Sequence, residues 1–220
     1  MPLRLGSIAP DFVADSTHGR LHLYDYLDGS WSIIIAYPYE YTPVCTTEMA
    51  SVSLLTPEIE RLNCKVVSLR VDTVGRHQQW IEDIDDITQI SNFTWPVVSD
   101  TTGEIAMLYD MMDAPVEGVP QPISATMRSL YIVDPRKRVR AYLSYPSTCG
   151  RHFDEIIRVL VALQVGDKHN VHTPADWFPG KRVIVPVDVP TCEATKQFGK
   201  VTEDLSYLRW VRSPKTPIDP

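Results

Sequence analysis

Ile33-Ile34-Ile35-Ala36-Tyr37-Pro38-Tyr39-Glu40-Tyr41-Thr42-Pro43-Val44-Cys45-Thr46-Thr47-Glu48 passes from an apolar run, through two prolines, into a helical pattern. Residues 33–36 form the short unbroken apolar stretch of a buried strand. Thr42 suits the position that caps a helix and Pro43 its first residue, so Cys45 falls in the first turn. That turn has N–H groups without intrahelical partners and the positive end of the helix dipole. Both stabilise a thiolate, the form of cysteine that attacks electrophiles. Thr42 is placed to aim its hydroxyl at the sulfur or at an incoming oxygen. Pro38 and Pro43 stiffen the loop, and Pro43 is expected to shield one side of the pocket from water. From position alone, Cys45 also reads as an inert core residue, because buried cysteines are common.

Outward from this segment, strands alternate with amphipathic stretches. Residues 65–71 predict a strand fed by a helix ending near Leu62, and residues 78–84 a helix facing Trp80, Ile81 and Ile84 inward. A short strand is expected at 96–98, a short helix at 103–109 and a loop rich in proline and acidic residues at 110–121. Residues 127–133 and 139–144 flank Asp134-Pro135-Arg136-Lys137 and read as a β-hairpin. Phe153, Ile156, Ile157, Leu160 and Leu163 share one helical face. The fold class is α/β, a mixed central sheet flanked by helices. Residues 1–165 are read as the main domain and 166–220 as a small C-terminal domain. That second part has many prolines, a short strand at 183–187, and five aromatics that need burial: Trp177, Phe178, Phe198, Tyr207 and Trp210. Residues 213–220 are expected to fray.

The 220 residues are 44% apolar and 22% charged, as in a globular chain, and the net charge of −7 argues against nucleic acid or an anionic membrane surface as partner. No apolar run approaches the roughly 20 residues of a membrane helix. The start carries no long apolar stretch, so no signal peptide is expected and the expected compartment is reducing and cytoplasmic. Cys45, Cys64, Cys149 and Cys192 form no CxxC pair, which counts against a thioredoxin-type oxidoreductase. Neither a disulfide framework, nor a metal, nor a cofactor is expected.

Pro38, Thr42 and Cys45 complete the pattern PxxxTxxC, and Thr46-Thr47-Glu48 extends it. With Leu5-Gly-Ser-Ile-Ala-Pro-Asp-Phe12, Leu62-Asn-Cys-Lys65, Trp80-Ile-Glu-Asp83 and Trp95-Pro-Val-Val-Ser-Asp100 in order, the chain resembles the peroxiredoxins. Tyr145-Pro-Ser-Thr-Cys-Gly-Arg151, Thr173-Pro-Ala-Asp-Trp177 and Tyr207-Leu-Arg-Trp210 point to the one-cysteine subgroup with a long C-terminal domain. The resemblance implies a thioredoxin-like fold and a thiol-dependent peroxidase that reduces hydrogen peroxide and organic hydroperoxides through a sulfenic acid at Cys45. An external thiol, such as glutathione or thioredoxin, would regenerate it. By the same resemblance Arg128 holds thiolate and peroxide, Arg151 is a second arginine, and Glu48 orients both. Taken alone, Arg128 reads as a strand-edge residue, Glu48 as an exposed helix residue and Arg151 as a surface charge. A homodimer is implied, with higher rings as an extension. A non-enzymatic redox sensor or chaperone-like oligomer switched by Cys45 oxidation is the alternative, and catalytic turnover separates the two.

The sequence departs from the family in places. Where the family usually has histidine before the proline, Tyr37 puts a neutral phenol, for which slower or differently pH-dependent peroxidation is expected. The Gly-x-Ser-x-Gly elbow to which a phospholipase activity is assigned in the mammalian one-cysteine enzyme is incomplete here, in Gly29-Ser30-Trp31-Ser32. Ser32 reads as the start of a strand, and that activity is not carried over. Cys192 does not match a resolving cysteine, and Cys64 reads as core. Cys149 stands where the family usually has threonine; it reads either as structural filler or as a thiol able to pair with oxidised Cys45.

Overall fold

The computed structural model describes residues 3–89, 93–112, 126–216 and 218. In chain order the elements are β1 (Val13–Ser16), β2 (Gly19–His22), α1 (Leu23–Leu27), β3 (Trp31–Ala36), α2 (Pro43–Arg61), β4 (Cys64–Arg70), α3 (Val74–Thr88) and β5 (Val97–Ser99). There follow α4 (Glu104–Leu108), β6 (Arg128–Val133), β7 (Val139–Tyr145), α5 (Phe153–His169), β8 (Val183–Ile184), α6 (Thr191–Phe198), β9 (Thr202–Leu205) and β10 (Leu208–Val211). Two compact units divide the chain, Met1–Phe153 and Asp154–Pro220. The division puts nearly all of α5 in the second unit, ahead of the residue 165 boundary read from the sequence.

A seven-stranded mixed sheet in the order β2-β1-β5-β4-β3-β6-β7 organises the first unit. β3 and β4 pair in parallel, as do β4 and β5, while β6 runs antiparallel to both β3 and β7. All six residues of β3 are buried. A strand covered on both faces has no need of a polar side, so its sequence is a continuous apolar run. Burying each isoleucine is worth about 1.5–3 kcal/mol. Ile34, Ala36, Val67, Leu69, Tyr131 and Val133 share one core with Leu23 and Leu27 of α1 and Ala106 of α4. Ser68 lies against α2, its hydroxyl 4.0 Å from Met49 Sδ, and accepts the indole N–H of Trp95 at 2.7 Å.

Most boundaries follow local chemistry. Pro43 is the first residue of α2, after an extended Thr42, and α2 ends at Leu62 with Asn63 in the left-handed region at φ 47°. Between β6 and β7, Asp134 Oδ1 accepts the N–H groups of Arg136 and Arg138 at 2.9 Å each, which fixes the expected hairpin. α3 is longer than expected and buries His77 beside Trp80 and Ile84, whereas Ile81 is half-buried. Of the expected loop at 110–121, residues 113–121 lie outside the described residues.

In the second unit a three-stranded sheet runs in the order β8-β10-β9. The strand expected at 183–187 is only two residues long, because Pro186 has no N–H to continue the ladder. Trp177 is buried and donates its indole N–H to the Lys181 carbonyl at 3.0 Å. The expectation that all five aromatics are buried is corrected: Phe178 is 54% and Tyr207 62% exposed, and Phe198 and Trp210 are half-buried. Residues 213–216 have no regular structure, yet Thr216 is buried; residues 217, 219 and 220 lie outside the described ones. Among the described residues no helix is long and apolar enough to cross a membrane.

Candidate active site

Three elements converge at the N-terminus of α2. The helix supplies Cys45 and, one turn on, Glu48; the start of β6 supplies Arg128; the segment after β7 supplies Ser147 and Arg151. Cys45 is 0% exposed. Arg128 Nη1 donates to Cys45 Sγ at 3.2 Å and to Glu48 Oε2 at 2.7 Å, so one nitrogen ties the thiol to the carboxylate. Arg128 Nε and Nη2 donate to the Ser147 carbonyl at 3.0 and 2.6 Å, which fixes the plane of the guanidinium.

Arg151 closes the other side of Glu48. Its backbone N–H donates to Oε1 at 2.7 Å, its Nε to Oε1 at 2.9 Å and its Nη2 to Oε2 at 2.9 Å. Arg151 Nη1 donates to the carbonyls of Ala36 and Ser129 at 2.9 Å each, which pins the guanidinium to the ends of β3 and β6. Burial alone would raise the Glu48 carboxyl, but the hydrogen bonds and charge of Arg151, with the charge of Arg128, outweigh it and hold Glu48 below its usual value. The readings of each residue taken alone, Arg128 at a strand edge, Glu48 exposed on its helix and Arg151 as a surface charge, are corrected: all three are buried.

The motif's other residues are placed less simply. Thr42 Oγ1 donates to the Tyr39 carbonyl at 2.9 Å, so its hydroxyl hydrogen is not aimed at the sulfur; the oxygen is left as an acceptor. It makes no side-chain cap of α2 either. Pro38 is buried, while Pro43 is exposed. Pro43 lines a groove of about 610 Å³ with Tyr41, Thr46, Trp80 and Ile87, so it borders open solvent rather than excluding it. Tyr37 is wholly buried and donates its hydroxyl to Glu40 Oε1 at 3.4 Å; burial first, and then the Glu40 charge, hold the phenol well above its usual value and so neutral. Ser32 lies wholly buried within β3, where no substrate reaches it.

Cys64 is buried, and burial pushes its thiol far up; Cys149 and Cys192 are exposed. Exposure rules out Cys149 as structural filler. Its loop touches the site, since a methyl group at Gly150 would lie 3.4 Å from Val44 Cγ1. Reading the sequence alone missed the Ser147, Ala36 and Ser129 carbonyls, because a backbone acceptor leaves no residue signature. It also missed the meeting of Glu40 with His77, both with fully enclosed side chains, although an acidic residue inside an otherwise apolar motif was a usable signal.

The AhpC/TSA family matches residues 5–142, and the C-terminal domain of 1-Cys peroxiredoxin matches residues 162–200. The mitochondrial peroxiredoxin PRX1 of Saccharomyces cerevisiae is 42% identical over 96% of this chain and 81% of its own length. Human Peroxiredoxin-6 is 37% identical over 96% of this chain and 98% of its own. Two solved structures have the same fold. A yeast mitochondrial 1-Cys peroxiredoxin, described for its thiol resolving mechanism via glutathione/thioredoxin systems, has a TM-score of 0.87 at 40% identity, covering 96% of this chain and 100% of that one. A cysteine-to-serine mutant of the Peroxiredoxin 6 of Arenicola marina has a TM-score of 0.90 at 34% identity, covering 97% and 100%.

Proposed function

The chain belongs to the peroxiredoxins, and on that premise we propose that Cys45 is the thiol through which it reduces hydroperoxides. It has the thioredoxin-like fold of that family and is a thiol-dependent peroxidase. The observation that carries the assignment to Cys45 is the 3.2 Å contact from Arg128 to its sulfur, on a side chain that is itself fully enclosed.

The Cys45 thiolate attacks the terminal oxygen of the peroxide. As the S–O bond forms, the O–O bond breaks and its electron pair leaves with the second oxygen, which takes a proton and departs as water or alcohol. Arg128 has five N–H donors. Four are committed to Sγ, Glu48 and Ser147, and the fifth meets the peroxide and the charge that develops on it. Thr42 Oγ1 accepts from the peroxide O–H. Glu48 and Arg151 touch neither reactant; they hold Arg128 in place, and Pro38 shapes the loop.

The sulfenic acid condenses with an external thiol to a mixed disulfide and water, and a second thiol releases Cys45 as the thiol. Glutathione or a thioredoxin is the reading for that reductant, as in the printed description of the yeast relative. A reducing compartment suits the free cysteines. The cytoplasm is the reading from the sequence, alongside a relative that is mitochondrial. Residues 166–220 are read as a homodimerisation domain, supported by the exposed Phe178, Leu205 and Tyr207.

The test is peroxide consumption with dithiothreitol by wild type and by Cys45→Ser. Turnover by wild type and none by the variant is expected. Equal rates would remove Cys45 from the reaction. An intact Cys45 that oxidises once without turnover would instead favour the redox sensor.

A further inference from the structure

The second unit holds an enclosed charge that its described neighbours leave unbalanced. Arg209, on β10, is 5% exposed. Its Nη1 donates to Thr191 Oγ1 at 3.0 Å, and its Nη2 to the carbonyls of Pro186 and Val187 at 2.7 and 3.4 Å. Its Nε has no hydrogen-bond partner among the described residues. Every acceptor it has is neutral, and among the described residues no carboxylate pairs with it. A buried guanidinium is ordinarily paired with an anion, because enclosing a charge alone is costly.

The first turn of α6 adds to the same sign. Thr191, which Arg209 reaches, is the first residue of that eight-residue helix, at the positive end of its dipole. No side chain caps this end: Pro190 stands in the capping position, and its carbonyl accepts from the N–H groups of Glu193 and Ala194. The N–H groups of Thr191 and Cys192 come before the first helical bond and have no partner among the described residues. Glu193, the acidic residue of the turn, is exposed and makes no ion pair with Arg209. Cys192 lies in this turn and is exposed. A helix N-terminus and an unbalanced guanidinium thus meet beside a thiol that is open to solvent, the setting in which thiols react.

We propose that Cys192 is a modification site for anionic low-molecular-weight disulfides. Arg209 and the first turn of α6 draw in the carboxylates of the disulfide, and Cys192 takes up half of it as a mixed disulfide. The Cys192 sulfur, as thiolate, attacks one sulfur of the incoming molecule. A new S–S bond forms as the old one breaks, and the electron pair of the old bond leaves with the other sulfur. That sulfur takes up the proton that Cys192 gave up and departs as a free thiol. Cys192 is oxidised, the small disulfide is reduced, and no other oxidant takes part. The reaction does not involve Cys45, so it stands whether or not the peroxidase reading of Cys45 does.

The test treats the reduced full chain with glutathione disulfide, which is anionic, and in parallel with cystamine, a disulfide that carries ammonium groups instead. Peptide mass spectrometry follows the second-order rate at Cys192 and, as an internal control, at Cys149. The quantity read is the ratio of the glutathione disulfide rate to the cystamine rate, from which the reactivity of the thiol itself cancels. A unit charge a few ångströms away in water changes such a rate by about fivefold. Arg209→Gln keeps an amide donor but loses the charge, and it is expected to lower the ratio at Cys192 by about that factor and to leave the ratio at Cys149 unchanged. Arg209→Lys keeps the charge and should hold the wild-type ratio. Should Arg209→Gln not fold, Glu193→Gln changes only an exposed side chain and should raise the ratio at Cys192 by about two- to fivefold.

A merely structural Arg209 would open Cys192 to both disulfides alike when replaced, and the ratio would stay where it is. An unchanged ratio at Cys192, or one that moves equally at Cys149, would overturn the proposal. So would a wild-type chain in which glutathione disulfide leaves Cys192 unmodified.

Discussion

Glu48 sets the charge balance of the site, with one carboxylate between two buried guanidiniums. Removing it would leave Arg128 and Arg151 enclosed, with the thiolate as the nearest anion. Breaking a buried pair in this way typically costs about 3–5 kcal/mol, so Glu48→Gln should lose stability of that order in chemical denaturation and lose peroxidase activity with it. The acid side gives a second readout. Its native carboxyl is held below its usual value, so its contribution is complete above the unfolded value and is lost as pH falls through the native one. Below about pH 4, wild type should therefore lose stability more steeply than Glu48→Gln. A parallel decline in the two proteins would contradict this account of Glu48. At this scale the sequence was readable where the chain is contiguous: Pro38, Thr42 and Cys45 lie within one turn and its lead-in. Arg128, 83 residues beyond Cys45, was visible only through the family resemblance, since no local pattern links a strand's first residue to a distant helix.

Elements were readable in proportion to how completely they are buried. β3 appears in the sequence through the unbroken apolar run Ile33–Ala36, and β4 through its buried Val66, Val67 and Leu69, because both faces of each strand are covered. β9, exposed along its whole length, and the short half-exposed β1 and β2 leave no comparable pattern. The helix that carries Cys45 has its own irregularity, an exposed Pro57 in its interior. Proline there removes an N–H from the helical ladder and crowds the preceding turn. Pro57→Ala should restore that bond and raise stability by about 1–3 kcal/mol in urea unfolding, with peroxidase activity retained. A drop in stability would mean that the proline ring fits the native helix better than the restored bond does.

For the whole molecule, two compact units and the exposed Phe178 and Tyr207 of the second raise the question of assembly. The homodimer reading is tested by sedimentation, which should give twice the 24.9 kDa of one chain. A monomer at micromolar concentration would leave Phe178 and Tyr207 without the role assigned to them. The sequence by itself determined the α/β class, the mixed sheet, the start of α2 and the placing of a cysteine in its first turn. Each of these depends on apolar periodicity, on proline and on residues a few positions apart. Only the tertiary structure decided that one nitrogen of Arg128 joins Cys45 to Glu48, that Cys149 faces solvent, and that Glu40 meets His77. Those contacts join residues far apart in the chain, and their energies come from burial and from which groups face each other once the sheet has formed.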